Sequence, residues 1–211
     1  MAPYSSDSTR FMGKVTAGVT HDLQNVLAVI KETAGLLEDI LLMNKDAGLP
    51  FFEKFNKALG TIKAQSTRGA RLTTTLNQFA HTPDRDEKIP DIYHTIQMLV
   101  HLTERKHKTL NVDIQVDKPE APLTVATKGM ALEMALLAAI DVLVECHEKD
   151  FSIHISFNHL DTAVGIFFKC SRQTSTELSS AASWPVLTQS LSVINGTPEV
   201  VKESLILRIT A

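Results

Sequence analysis

Between Arg10 and Met43, apolar side chains recur in steps of three and four. Met12, Val19, Leu23, Val26, Ile30, Leu37 and Ile40 mark the stripe, and Thr16 and Thr33 fill its remaining seam positions. This spacing predicts one helix of ~30 residues, roughly 45 Å long. Residues 1–9 are expected to be flexible. Asn44 to Pro50 carries a Gly and a Pro and predicts a turn. A second helix is expected from Phe51 to about Ala80, with Phe52, Phe55, Leu59, Ile62, Leu72, Leu76 and Phe79 on its apolar face and Ser66 and Gly69 as small seam residues. Two long helices joined by a short loop form an antiparallel hairpin. One hairpin cannot bury both stripes, so pairing into a dimeric four-helix bundle is expected.

Polar residues 83–88 predict a linker, and the pattern changes after it. A helix is expected from Ile89 to Lys106. Leu110 to Val116 alternates as a half-buried strand does, and Leu123 to Ala126 predicts a short strand. Gly129 to Glu148 is a strongly apolar, central helix. Two strands follow, Phe151 to Phe157 and Ala163 to Lys169, with a turn near Asn158–Asp161. The last helix is expected from Trp184 to Ile194, with Ser183 as its N-cap and Asn195-Gly196 as its C-cap signal. Glu199 to Lys202 and Ser204 to Ile209 close the chain as a hairpin. The expected fold class is α+β: a hairpin domain over 10–82, then an α/β sandwich over 89–211 with five or six strands and three helices on one face.

Composition narrows the function. The formal net charge of −3 argues against a nucleic-acid binder. No apolar run reaches the ~20 residues of a membrane span, and the polar N-terminus lacks a signal-peptide core. Cys146 and Cys170 have no CxxC spacing and sit among apolar neighbours, as reduced core residues do. These features point to the cytoplasm. No histidine has metal-ligand spacing, and His81, His94, His101, His107, His147, His154 and His159 are expected to be ordinary residues. No cofactor and no metal are expected.

The candidate chemistry lies at His21. With Val19, Leu23, Val26 and Ile30 at the seam, His21 falls between core positions and points outward. A neutral imidazole is nucleophilic near neutral pH, its unperturbed pKa being about 6.5. Asp22 beside it is placed to hold the ring tautomer and take up the proton, given a suitable rotamer. Asn25 lies one turn further on the same face, where its amide could position a water.

The segment Gly18-Val19-Thr20-His21-Asp22-Leu23-Gln24-Asn25-Val26-Leu27-Ala28-Val29-Ile30 resembles the phospho-acceptor box of sensor histidine kinases. It is closest to the class whose box reads Ala-Gly-Gly-Ile-Ala-His-Asp-Phe-Asn-Asn-Leu-Leu-Thr-Val-Ile. Gly18, the His-Asp pair, Asn25, Leu27 and Val29-Ile30 carry the match. Asp22 to Asn25 also resembles the Asp/Glu-x-x-Thr/Asn motif with which such kinases dephosphorylate response regulators. The resemblance implies His21, Asp22 and Asn25 as catalytic residues. It also implies a response-regulator receiver domain and an upstream histidine kinase as partners.

The second domain resembles the ATP-binding domain of the same kinases, whose central helix carries magnesium-holding asparagines. Ala138 and Val142 stand at the matching positions, and Asp141 and Glu145 are out of register. The family's Asp-x-Gly-x-Gly loop is replaced by Ser171 to Glu177, and no glycine occurs from Ile166 to Ile194. The expectation is therefore a retained fold without a nucleotide site. The leading expectation is a histidine phosphotransferase of a phosphorelay. Alternatives are a divergent histidine kinase/phosphatase and a non-catalytic receiver-binding protein.

Overall fold

The computed structural model describes residues 3–43, 52–82, 89–160, 163–173, 176–201 and 204–210. The expected turn at Asn44–Pro50 and the linker at 83–88 lie outside these residues. Two long helices, α1 (Pro3–Met43) and α2 (Phe52–Ala80), form the hairpin. Val19, Val26, Leu72 and Phe79 are its most buried side chains, and the Phe11 and Phe79 rings meet edge to face at 5.7 Å.

The stripe of α1 differs from the expected one. Its buried residues are Val15, Val19, Asp22, Val26 and Leu37, the first four spaced four, three and four, while Thr16 is exposed and Leu23 and Ile30 are half-buried. Leu23 and Ile30 still pack against the core from the edge of this stripe. Ser66 is exposed too, whereas Gly69 does sit at the contact, because a Cβ there would lie 3.1 Å from Val26 Cγ1. α1 also extends further toward the N-terminus than the apolar stripe. The helix starts at Pro3, a residue suited to a first turn, and Asp7 accepts a hydrogen bond from Gln189 Nε2 at 3.4 Å.

The α/β part runs α3 (Ile92–Leu102), α4 (Glu104–Thr109), β1 (Val112–Val116), α5 (Gly129–His147), β2 (Phe151–Leu160), β3 (Ala163–Cys170), α6 (Trp184–Val193), β4 (Gly196–Val201) and β5 (Ser204–Thr210), with a 3-10 turn at Leu178–Ser180. The five strands form one sheet in the order β1-β2-β3-β5-β4. β1 and β2 are parallel, bridged by α5, and the other pairings are antiparallel. Register aligns one apolar face: Ile155 lies opposite Phe168, which lies opposite Leu205. All three are fully buried. α5 is buried on nearly every side, as an all-round apolar helix must be.

Several boundaries shift for physical reasons. The expected helix from Ile89 to Lys106 is two helices. Asp91 caps α3, its side chain accepting from His94 N at 3.0 Å, and the chain breaks at Thr103. β1 starts at Val112 because Asn111 has a positive φ of 53°. Leu123–Ala126 makes only a single bridge, Thr124 with Asp91. Instead of turning at Asn158, β2 continues through Leu160. The hydroxyl of Ser183 does not cap α6. It donates to Glu145 Oε1 at 2.6 Å. At the end of α6, Asn195 takes a φ of 52° and Gly196 opens β4, three residues earlier than expected. Close approach favours glycine at 196, since a Cβ would lie 2.9 Å from Leu191 Cδ2 and 3.1 Å from the Arg208 carbonyl oxygen. Cys146 and Cys170 are buried and neither is in a disulfide among the described residues.

Candidate functional site

The hairpin does not stand apart from the sheet layer. α1 packs against both α3 and α5, and α2 packs against α3. This brings the middle of α1 beside α4 and creates an open cleft of about 600 Å³ lined by Lys14, Gly18, His21, Asp22, Arg105 and Asp141, among others. The expected residues His21, Asp22 and Asn25 all lie together at this cleft or its rim. The His21 side chain is 65% exposed, as its place on the helix implied.

Asn25 Nδ2 donates to the His21 carbonyl at 2.8 Å and lies 3.3 Å from His21 Nδ1. The i, i+4 spacing thus holds the amide against the ring. Asp22 departs from the expected picture. It occupies a position of the buried stripe, 7% exposed, with Oδ1 3.7 Å from His21 Nδ1. That is too long for a hydrogen bond. The carboxylate is instead taken by Arg105, whose Nη1 lies 2.9 Å from Asp22 Oδ1 and 3.1 Å from His21 Nδ1.

A second polar knot lies deeper. Asp141, 5% exposed within the apolar α5, pairs with Lys14 Nζ of α1 at 3.1 Å and Lys106 Nζ of α4 at 2.5 Å. Arg105, Lys14 and Lys106 were not expected from the sequence. The available signal was Asp141 itself, because a carboxylate in a buried helix needs cationic partners. Glu145, one turn on, is outside this knot and clamps the start of α6 through the Ser183 N–H at 3.0 Å and its hydroxyl.

Ala138 and Val142 are 5% and 0% exposed, and neither side chain has a polar atom to hold a metal or a nucleotide. Ala138 lines a smaller cleft of about 210 Å³ whose other wall includes Phe11 and Lys14 of α1. His107 is not an ordinary surface histidine. It is 3% exposed, and neither ring nitrogen has a hydrogen-bond partner among the described residues. Burial, reinforced by the neighbouring Lys106 charge, pushes its pKa down to about 4.

No family model matches the chain, and no curated protein matches it. Solved structures do. The Acinetobacter baumannii histidine kinase AdeS superposes with a TM-score of 0.51 at 13% identity, over 90% of this chain and 97% of that one. The catalytic domain of histidine kinase ThkA, in a nucleotide-free form, superposes with a TM-score of 0.50 at 15% identity, over 59% of this chain and 95% of that domain. The fold is that of histidine kinases. The longer match spans too much of the chain to omit the hairpin, so the hairpin and the sheet layer both share in the likeness. Among the described residues, no helix is long and apolar enough to cross a membrane.

Proposed function

We propose that this chain is a histidine phosphotransferase of a two-component phosphorelay, carrying phosphate on His21 to or from a receiver-domain aspartate. The observation that carries this reading is His21 itself: a largely exposed imidazole on the long hairpin helix, at an open cleft, with Asn25 and Asp22 within one turn of its ring. Asp22 and Asn25 complete the proposed site. The lack of polar side chains at Ala138 and Val142 supports loading by a partner in place of the chain's own second domain.

The unit of function is proposed to be a homodimer, with the hairpin domain over 10–82 and the degenerate ATPase-like domain over 89–211. Leu36, Leu41, Leu42 and Met43 near the end of α1, and Leu59 of α2, are more than two-fifths exposed in the single chain. A second hairpin would cover apolar surface of this kind. Light scattering should give twice the chain mass of 23.2 kDa.

Phosphotransfer is tested by mixing the chain with a phosphorylated receiver domain. Wild type should acquire acid-labile label and His21→Ala should acquire none. A wild type that stays unlabelled overturns the proposal. The likeness to a kinase catalytic domain favours a second reading, a divergent histidine kinase with phosphatase activity. Labelling of His21 by ATP and magnesium, with no partner present, would establish that reading.

A further inference from the structure

We propose that Arg105 is a latch that biases His21 toward a ring tautomer that cannot accept phosphate and so slows its loading, and that the second domain controls the latch through α4. This inference rests on the phosphotransfer reading for its consequence, but its structural content is independent of it.

An arginine guanidinium has only N–H donors. With Arg105 Nη1 at 3.1 Å, His21 Nδ1 can serve only as an acceptor. Asn25 Nδ2, another donor, faces the same nitrogen at 3.3 Å. A neutral ring with its lone pair on Nδ1 carries its proton on Nε2. Nε2 then has no lone pair to attack phosphorus, and the Nδ1 lone pair is covered by two donors. The same guanidinium occupies Asp22 Oδ1 at 2.9 Å, so the carboxylate is held from the ring at 3.7 Å. One side chain thus engages the nucleophile and its proton acceptor together.

Withdrawal of Arg105 reverses both effects. Asp22 can then accept from Nδ1–H, which leaves the Nε2 lone pair free. Nε2 attacks the phosphorus of the receiver's acyl phosphate, the P–N bond forms and the P–O bond breaks. The electron pair leaves on the receiver carboxylate, and the Nδ1 proton passes to Asp22. Arg105 stands on α4, which belongs to the sheet layer, whereas His21 and Asp22 stand on α1. A shift of that layer relative to the hairpin therefore opens the latch. Lys106, next in sequence, ties α4 to Asp141 and through it to Lys14 of α1, which fixes the closed position.

The test needs no phosphate at first. Long-range proton–nitrogen correlation spectra of the nitrogen-15-labelled full chain report the His21 tautomer, its signals assigned by their loss in His21→Ala. Spectra are taken about two pH units above the ordinary imidazole pKa, where the neutral form of a histidine dominates. Wild type should show the Nε2–H form as the majority species. Arg105→Met and Arg105→Ala, with unchanged circular dichroism, should lose that majority in favour of Nδ1–H. A wild type that is mainly Nδ1–H overturns the latch, whatever the variants do, and so does a tautomer ratio unmoved by substitution.

Phosphoramidate, a small donor that releases ammonia when it phosphorylates histidine, reads the consequence. His21 should be labelled several-fold faster in Arg105→Met than in wild type, and an equal or slower rate overturns the gating role. Failure of a phosphorylated receiver to label wild type, with the tautomer result intact, would overturn the phosphotransfer reading alone.

Discussion

Lys14 of α1 meets the carboxylate of Asp141 of α5 at 3.1 Å, and this ion pair links the hairpin to the core of the sheet layer. Lys106 of α4 takes the other oxygen. Asp141 is nearly inaccessible while both lysine side chains remain substantially exposed, so the energetic weight lies on the carboxylate. Either lysine alone leaves it one counter-charge. Removing both leaves a buried charge without compensation, which typically costs about 3–5 kcal/mol. Lys14→Ala and Lys106→Ala should therefore each cost about 1 kcal/mol, and the double variant clearly more than their sum. Urea unfolding of the four proteins measures the coupling. Strict additivity would show that Asp141 does not depend on this pair.

His107 should make stability depend on pH. Its folded pKa is held down at about 4, below the ordinary 6.5, chiefly by burial. Between these values the unfolded chain binds a proton that the folded chain refuses. Stability from this source is therefore complete above about pH 6.5 and falls as pH drops toward 4. The loss is on the order of 3 kcal/mol over that window. His107→Leu removes both unpartnered nitrogens and should be near neutral at pH 7. Urea midpoints at pH 7 and pH 5 should diverge for wild type and converge for the variant, apart from the pH dependence of other groups shared by both.

The elements were legible in the sequence wherever one apolar period ran unbroken. α5 and the strands β3 and β5 emerge near their expected bounds, and β2 at its expected start, because each is buried strongly enough to override local effects. Boundaries moved where single residues intervene: the cap at Asp91, the positive φ at Asn111, and the proximity constraint at Gly196. The phase of α1 was harder. Asp22 breaks the apolar count, yet it occupies a buried position because Arg105, distant in sequence, neutralises it. His21, Asp22 and Asn25 were legible because they lie within one turn of one helix. Arg105, Lys14 and Lys106 reach the cleft only through the packing of α4 and α5 on α1, and no local pattern encodes that.

The hairpin should be intolerant of bulk at Gly69. The 3.1 Å distance from a would-be Cβ to Val26 Cγ1 leaves room for little more than hydrogen. Gly69→Leu should push the helices apart and cost about 1–3 kcal/mol, the usual range for overpacking. Adding Val26→Ala opens the space that the leucine needs. The double variant should therefore be more stable than Gly69→Leu alone, although Val26→Ala in the wild-type background is destabilising. Thermal unfolding of the three variants gives the sign of the coupling. A double variant at least as unstable as the sum of the two singles would place the strain elsewhere.

Asn25 should separate the giving of phosphate from its removal. Its Nδ2 is held by the His21 carbonyl at 2.8 Å and lies 3.3 Å from the ring, which fixes the amide beside the proposed phosphate carrier. An amide so fixed can orient a water toward an acyl phosphate, and losing such positioning costs roughly tenfold to a hundredfold. Asn25→Ala should leave the His21 nucleophile in place, shift stability by no more than about 0.5 kcal/mol as a surface change, and still become labelled from a phosphorylated receiver. The net loss of phosphate to water should slow by that factor. The measurement follows label on receiver, on His21 and in free phosphate over time. Equal rates of free-phosphate release from wild type and Asn25→Ala would remove Asn25 from the site and leave His21 to act with Asp22 alone.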